Sequence, residues 1–289
     1  MKTTSALVAL LCCSGALPAQ TPRNYTVDLE NRYPAVGAIL IVVTETNPFL
    51  PLGVRAFCSG VLIEDAVVLT AGHCVGPSLP ELPSFIKAYV SFSPNALDTS
   101  SWIPVSSQAV HPSLPPCPRP VGCDPTFTDA FVAGDPAVAD LGLIFLSRPA
   151  GVKPAKLASP DQLEKEKALG IPMTTVGYGR PAPDRLTPWD GLRKYRSSKL
   201  AIVLNEVWAT WQLPSSVCYG DSGAPTFFDK LPDGSRNPHT VVAIASDGGA
   251  DCASKDIRVR VDSHSVRQWL RQTIKETLGP NAGTRFEYE

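Results

Sequence analysis

An all-β fold is predicted, on three observations. The 289-residue chain carries 29 Pro and 21 Gly; its apolar stretches are short, rich in β-branched residues and bounded by turns; and long helical periodicity is scarce. In chain order, Val36-Gly37-Ala38-Ile39-Leu40-Ile41-Val42-Val43 reads as a buried strand and Cys58-Ser59-Gly60-Val61-Leu62-Ile63 as a second. Glu64-Asp65 makes a turn into the strand Ala66-Val67-Val68-Leu69-Thr70. Asp140 opens a further apolar run, Leu141-Gly142-Leu143-Ile144-Phe145-Leu146. Ser159-Pro160-Asp161 and Gly170 bound a short helix whose charged residues form a solvated face. Near the end, Asp262-Ser263 caps a helical pattern carrying Val266, Trp269, Leu270 and Ile274.

With 44% hydrophobic and 18% charged residues the chain has the composition of a globular protein with one or two domains. A formal net charge of -1 gives no electrostatic reason to bind nucleic acid or an acidic membrane. Residues 1–19 read as a secretory signal peptide. Lys2 supplies a minimal positive region, residues 6–17 an apolar stretch too short to span a bilayer, and Leu17-Pro18-Ala19 an acceptable cleavage site. Gln20-Thr21-Pro22 is too polar to continue a buried helix, and Cys12 and Cys13 lack the small residues that precede a lipid-anchored cysteine. A soluble, secreted protein, extracellular or periplasmic, is the expectation.

Export decides how the cysteines read. Six remain after residue 19: Cys58, Cys74, Cys117, Cys123, Cys218 and Cys252. An even number in an oxidising compartment implies disulfides, although spacing alone leaves about 15 pairings open. Zinc is disfavoured, because no CxxC pair occurs and His73, His111, His239 and His264 do not fall at ligand spacing.

Cys218-Tyr219-Gly220-Asp221-Ser222-Gly223-Ala224-Pro225 carries the chemistry. A serine among glycines, directly after an acid, fits a hydroxyl held on a tight turn. There the N–H groups of Gly220 and Ser222 can converge beside the Ser222 hydroxyl and stabilise an oxyanion. A turn with no chemistry is the bland alternative. Serine is a weak nucleophile and needs a base with something to orient it. Ala71-Gly72-His73-Cys74, just past a strand end, supplies the base. A lone histidine is more often a structural donor, but one placed between Gly72 and Cys74 suits an imidazole presented to a cleft.

Thr70 to Cys74, the run that begins at Asp140, and Gly220 to Gly223 together resemble the three marker segments of the trypsin-like, chymotrypsin-fold serine proteases. The order His, Asp, Ser agrees with that family rather than with subtilisins or α/β-hydrolases. Asp129 and Asp135 compete for the acid's role, but neither opens an apolar strand. Val176-Gly177-Tyr178-Gly179 and Ile244-Ala245-Ser246-Asp247-Gly248-Gly249 extend the resemblance across the second half.

The resemblance implies two six-stranded antiparallel β-barrels with the active site between them, plus a C-terminal α-helix. Barrel one would span about 30–150, barrel two about 171–262 and the helix about 262–278. It implies the catalytic residues His73, Asp140 and Ser222, an oxyanion hole of Gly220 and Ser222, and the disulfides Cys58–Cys74 and Cys218–Cys252. A proline-rich insertion over 113–137 holds Cys117 and Cys123, expected to pair locally, and the family's disulfide within the second barrel is absent.

Family position places Ser216 at the base of the primary pocket, with Ser246 and Gly248 offering backbone hydrogen bonds to substrate. A neutral Ser216 favours an apolar or aromatic side chain. Asp256 at the opposite wall would favour a basic one unless Arg258 neutralises it. The family's activation junction is missing; a new N-terminal amine near residues 22–24, from export processing or a trim after Arg23, would be the partner for Asp221. The implied activity is a serine endopeptidase acting on a polypeptide substrate as a monomer, without cofactor or metal. A catalytically silent homologue serving as a binding module, or an esterase with the same triad, are the alternatives. Asn24-Tyr25-Thr26 is a glycosylation sequon that has meaning only in a glycosylating host.

Overall fold

The structure is a computed structural model that describes residues 25–46, 52–75, 84–114, 135–165, 167–181, 188–212, 217–230, 236–248, 252 and 256–283. The expected signal peptide, the processing site near residues 22–24, Asn24, Asp129, Cys117, Cys123 and Ser216 lie outside the described residues.

Six strands close the first barrel: β2 (Val36–Val43), β3 (Gly53–Glu64), β4 (Val67–Thr70), β5 (Ile86–Ser91), β6 (Trp102–Val110) and β7 (Gly142–Leu146). Their order is β2-β3-β4-β7-β6-β5, and β2 pairs with β5 to complete the circle. The Val- and Ile-rich runs form strands because branched side chains pack well on a pleated surface. β2 is buried at every position but Val42, as its continuous apolar run requires.

The second barrel uses β9 (Pro172–Gly177), β10 (Lys194–Val203), β11 (Trp208–Gln212), β12 (Pro225–Lys230), β13 (Arg236–Gly248) and β14 (Asp256–Arg260). It runs β10-β11-β14-β13-β12-β9 and closes through β9–β10. Two short strands attach outside the ring. β1 (Thr26–Val27) pairs antiparallel with β10, and β8 (Lys156–Leu157) pairs parallel with β13. One apolar cluster runs from Ile39, Leu62 and Leu143 through Tyr178 and Phe227 to Val266 and Leu270, so the two barrels and the terminal helix share a core.

Between the barrels lies the short helix α1 (Gln162–Lys165). Asp262 accepts from the Leu163 N–H at 2.9 Å, and Arg260 reaches both Asp262 and Glu164, so α1 is clamped to the end of β14. The terminal helix α2 (His264–Leu278) begins at Ser263, whose hydroxyl accepts from the Val266 N–H. Asp262 therefore serves α1 rather than the cap of α2. Val266, Leu270 and Ile274 recur at four-residue spacing on its buried face, and the Trp269 ring lies 4.9 Å from that of His111 on the first barrel. No helix among the described residues is long and apolar enough to cross a membrane.

Both family-pattern disulfides are present. Cys58 and Cys74 have Cα atoms 6.0 Å apart, and Cys218 and Cys252 4.8 Å apart. The first ties β3 to the turn after β4, and the second ties the segment before Ser222 to the chain between β13 and β14. Replacing either pair by alanines is expected to cost roughly 2–5 kcal/mol of stability. Because the second pair spans 34 residues against 16, its loss should exceed the first by about 0.7 kcal/mol. Denaturant titration of the two double variants measures both, and equal stability with and without a pair would refute its role.

Candidate active site

Strand register assembles the first half of the site. β4 and β7 are antiparallel with Thr70 opposite Gly142. Continuing that register three residues beyond β4 brings His73 beside Ala139 and hence next to Asp140. His73 sits in a tight turn over Gly72–Cys74. Its backbone N–H donates to Asp140 Oδ1 at 2.8 Å, and its ring Nδ1–H donates to Asp140 Oδ2 at 2.7 Å. Two bonds from one residue fix the imidazole tautomer and its plane. The carboxylate is fully buried, while the His73 side chain keeps 15% exposure.

A third donor comes from the other barrel. β13 and β14 slip register between Ala245 and Asp247, which makes Ser246 the extra residue of a bulge. Its hydroxyl donates to Asp140 Oδ2 at 2.6 Å. Ser246 thus serves Asp140 with its side chain, a role beyond the backbone contact expected from sequence. Asp140 is held below its ordinary pKa. Burial by itself would raise it, and the His73 ring charge, the Nδ1–H bond, the Ser246 hydroxyl and the His73 N–H together outweigh that effect. Asp135 is exposed at the edge of the insertion. The insertion's ends meet where the Ala139 N–H donates to Ser113 Oγ at 2.9 Å, and Trp208 Nε1–H donates to the Asp135 and Val138 carbonyls.

Ser222 arrives on the turn before β12. The Ser59 N–H donates to the Ser222 carbonyl at 2.8 Å, and the Ser59 hydroxyl donates to the Gly220 carbonyl at 2.8 Å. Ser59 also accepts from the Tyr178 N–H at 2.9 Å, so this residue, missed in sequence, bolts the nucleophile turn and the end of β9 to the first barrel. Its signal was its place between Cys58 and Gly60. Gly223 has φ +80°. A Cβ there would lie 2.0 Å from Thr70 Oγ1 and 2.2 Å from the Ser59 carbonyl oxygen, so the turn packs directly on the β4 end that carries His73. The Ser222 hydroxyl is half-buried and makes no hydrogen bond among the described residues; catalytic contacts are commonly loose before substrate closes them.

Within the turn, the N–H groups of Asp221, Gly223 and Ala224 are committed to the carbonyls of Cys218, Ala245 and Asp221. Those of Gly220 and Ser222 have no such partner among the described residues, as an oxyanion site requires. Asp221 is buried behind the turn. Its Oδ1 accepts from the Gly179 N–H at 2.8 Å and its Oδ2 from the Cys218 N–H at 2.9 Å. A Cβ on Gly179 would lie 2.2 Å from Asp221 Oδ2, so the carboxylate rests against bare backbone. Its cation is Arg196 on β10, with Nη2 2.8 Å from Oδ2 in an ion-pair contact that lacks hydrogen-bond alignment, where sequence reading looked to an N-terminal amine.

Of the residues that the resemblance assigns to the primary pocket, Ser246, Gly248 and Asp256 are described. β12 and β13 are last paired at Pro225–Ile244, so the edge of residues 246–248 facing away from β14 is free of any described strand. Gly248 pairs with Asp256 on the other edge. Asp256 Oδ2 accepts from the Val217 N–H at 3.2 Å, and both its oxygens are held by Arg258 at 2.7 and 2.8 Å. Of the two answers to the Asp256 charge that the sequence allowed, the chain supplies its own. Arg258 is fully buried, donates to Thr175, Thr226 and Ser198, and lies over the Trp211 ring at 4.8 Å. Cys58, His73 and Cys74 bring possible ligand atoms within 4.8 Å of one another, but the two sulfurs are bonded to each other.

Gly223→Ala is expected to cost about 3 kcal/mol or more, since the side chain meets backbone and φ is positive. An unchanged denaturation midpoint would rule out the close packing on Thr70. Asp140 keeps its charge in the native state at a pH where the unfolded carboxyl, near 3.9, has taken up a proton. Its interactions therefore contribute fully above that pH and are lost as pH falls through the lower native value. The stability of Asp140→Asn should consequently fall less steeply below about pH 4 than that of the wild type, as measured by denaturation across pH.

Two closed six-stranded antiparallel barrels with a C-terminal helix have the shape of the chymotrypsin-like fold. No protein-family model matches the chain.

Proposed function

We propose that this chain is a serine endopeptidase that cleaves polypeptides through an acyl-enzyme. The observation that carries the reading is the junction of the barrels. A histidine oriented by a buried carboxylate follows the end of β4, and a serine turn whose Gly220 and Ser222 N–H groups have no partner among the described residues packs on that same strand end. Ser222 Oγ attacks the scissile carbonyl carbon, and His73 Nε2 takes the hydroxyl proton. Negative charge gathers on the carbonyl oxygen, where the Gly220 and Ser222 N–H groups receive it. Collapse breaks the C–N bond, and His73 delivers the proton to the leaving amine. Water then repeats the sequence against the acyl-enzyme and releases the acid and Ser222. Asp140 keeps the proton on Nδ1, so that Nε2 faces the nucleophile as an acceptor.

The edge of 246–248, on which no described strand pairs, suits an extended peptide added as a strand, with the Gly248 N–H, which donates to Asp247 Oδ1 at 2.7 Å, turned over to the peptide. Asp256 and Arg258 form a neutral, internally bonded pair, so a basic side chain entering beside them would bury a charge without a counter-ion. We read the primary pocket as apolar or aromatic in preference. The two disulfides support an oxidising compartment and hence the secreted enzyme expected from sequence. An esterase would share the chemistry and differ in the leaving group; a silent homologue fits less well, because all three residues are retained.

A fluorophosphonate probe should label the wild type at Ser222, and Ser222→Ala and His73→Ala should each abolish most of it. Because the residues act as a unit, the double variant should lose about as much activity as either single one. Activity should rise with pH as the His73 imidazole gives up its proton, because only the neutral ring can accept the hydroxyl proton. No labelling at any pH, with amide and ester substrates both untouched, would favour the silent homologue. Cleavage profiling on a peptide library should find cuts after apolar and aromatic residues; dominant cutting after Arg and Lys would overturn the pocket assignment.

A further inference from the structure

We infer that Arg196 is the positioning residue of the nucleophile turn, holding Asp221 and hence the Gly220 and Ser222 N–H groups in working geometry without help from the chain's N-terminal amine. This rests on the catalytic reading of Ser222, and the arms of its test separate the two.

Asp221 is 1% exposed and sits directly behind the turn. A carboxylate buried there without a cation would be strongly disfavoured or take up a proton, and either outcome would loosen its bonds to Gly179 and Cys218. Arg196 answers that charge from inside the fold. Its strand is paired on both edges at that end, with Thr175 opposite Arg196 on β9 and Thr26 opposite Tyr195 on β1. Its side chain is 4% exposed. The cation therefore arrives on a barrel stave, whose position is set by the sheet, and not on a terminus that must first be released and then ordered.

The surroundings reinforce the assignment. Lys194 is buried two residues earlier; its Nζ pairs with Asp190 and donates to the Gly179 carbonyl at 3.2 Å and the Leu192 carbonyl at 3.0 Å. Gly179 is thus held at both ends, by Lys194 at its carbonyl and by Asp221 at its N–H. Arg193, next along, binds Asp28 at 2.9 Å and the Val36 and Phe92 carbonyls. That pair pins the described start of the chain along the β10 edge. Among the described residues, Lys194 interacts electrostatically with both Asp221 and Arg196, Asp190 pairs with Lys194, and the buried phenol of Tyr178 lies beside Arg193. Burial pushes Lys194 below its ordinary pKa, against the pull of Asp190 and Asp221. Tyr178 is pushed up to about 12, chiefly by burial.

A guanidinium stays protonated beyond any working pH, whereas an α-amine titrates near 7.7–8.0. A turn held by Arg196 keeps its charged partner at any working pH, whereas one held by an amine weakens on the alkaline side as the amine, raised by its carboxylate, loses its proton.

The test uses the whole secreted protein, before and after carbamylation of its α-amine at neutral pH, where exposed lysines stay protonated. Fluorophosphonate labelling of Ser222 should proceed at the same rate in both and stay level between about pH 8 and 9. Arg196→Met should label at least about 100-fold more slowly, the scale of losing an oxyanion donor. Arg196→Lys should restore most of that rate, and amide hydrogen exchange in Arg196→Met should rise first over residues 217–223. Loss of labelling on carbamylation would assign the role to the amine and overturn the inference. Wild-type labelling by Arg196→Met would overturn it as well. If Arg196→Met does not fold, the carbamylation and Arg196→Lys arms still decide. If the wild type itself never labels, the catalytic reading has failed; unchanged exchange over 217–223 in Arg196→Met would then separately refute the positioning role.

Discussion

Burying a carboxylate is the constraint around which this molecule is arranged. Five aspartates among the described residues are buried: Asp28, Asp140, Asp221, Asp256 and Asp262. Each needs an answering charge, because the cost of leaving one unpaired exceeds what most single contacts supply. Four are answered by arginines, namely Arg193, Arg196, Arg258 and Arg260. The fifth, Asp140, is answered by His73. A guanidinium cannot give up its proton and an imidazole can, so the choice of partner sets Asp140 apart from the other four. Its histidine keeps 15% side-chain exposure.

The arginine pairs are better read as fixing geometry than as sources of stability. A buried ion pair gains roughly what desolvation takes away, and an apolar replacement of the same shape is often as stable. An apolar replacement would not fix direction. Arg258 holds both oxygens of Asp256, which keeps one oxygen on the Val217 N–H beside the nucleophile segment. Arg260 bridges Asp262 and Glu164 and so sets where the link between the barrels meets β14. Arg196 does the same for the turn itself. Each pair converts a strand's position into the position of a loop that carries none of its own regular structure.

Much of this was legible in the sequence, and what was not has a common cause. The strand runs, the cap at Ser263, the terminal helical pattern and the three marker segments are local, so residue type and spacing reveal them. The disulfide pairing and the two barrels were implied by the resemblance those segments carry. Ser59, Arg196 and Ser246 act across long separations: Ser59 meets Gly220 161 positions away, and Ser246 meets Asp140 across 106. Nothing near them in sequence announces those partners. β10 also inverts the usual pattern. Lys194, Arg196 and Ser198 face inward while Ser197 and Lys199 face water, so its period is a strand's but its buried side is polar. Hydrophobic periodicity cannot find such a strand, and a run of cations reads as a solvated face.

The donor count at Asp140 explains how a titrating partner can serve where the other four carboxylates take arginine. In the cycle proposed above, His73 is charged for only part of the time, and Asp140 must stay ionised throughout if the tautomer is to hold. With the imidazole neutral, its Coulombic support is gone. The Ser246 hydroxyl and the His73 backbone N–H remain, and neither changes its protonation during the reaction. They lie on different barrels, one past the end of β4 and the other at the β13 bulge. The carboxylate is therefore kept charged by donors from both halves of the fold while, in the proposed cycle, the imidazole bonded to it exchanges its proton.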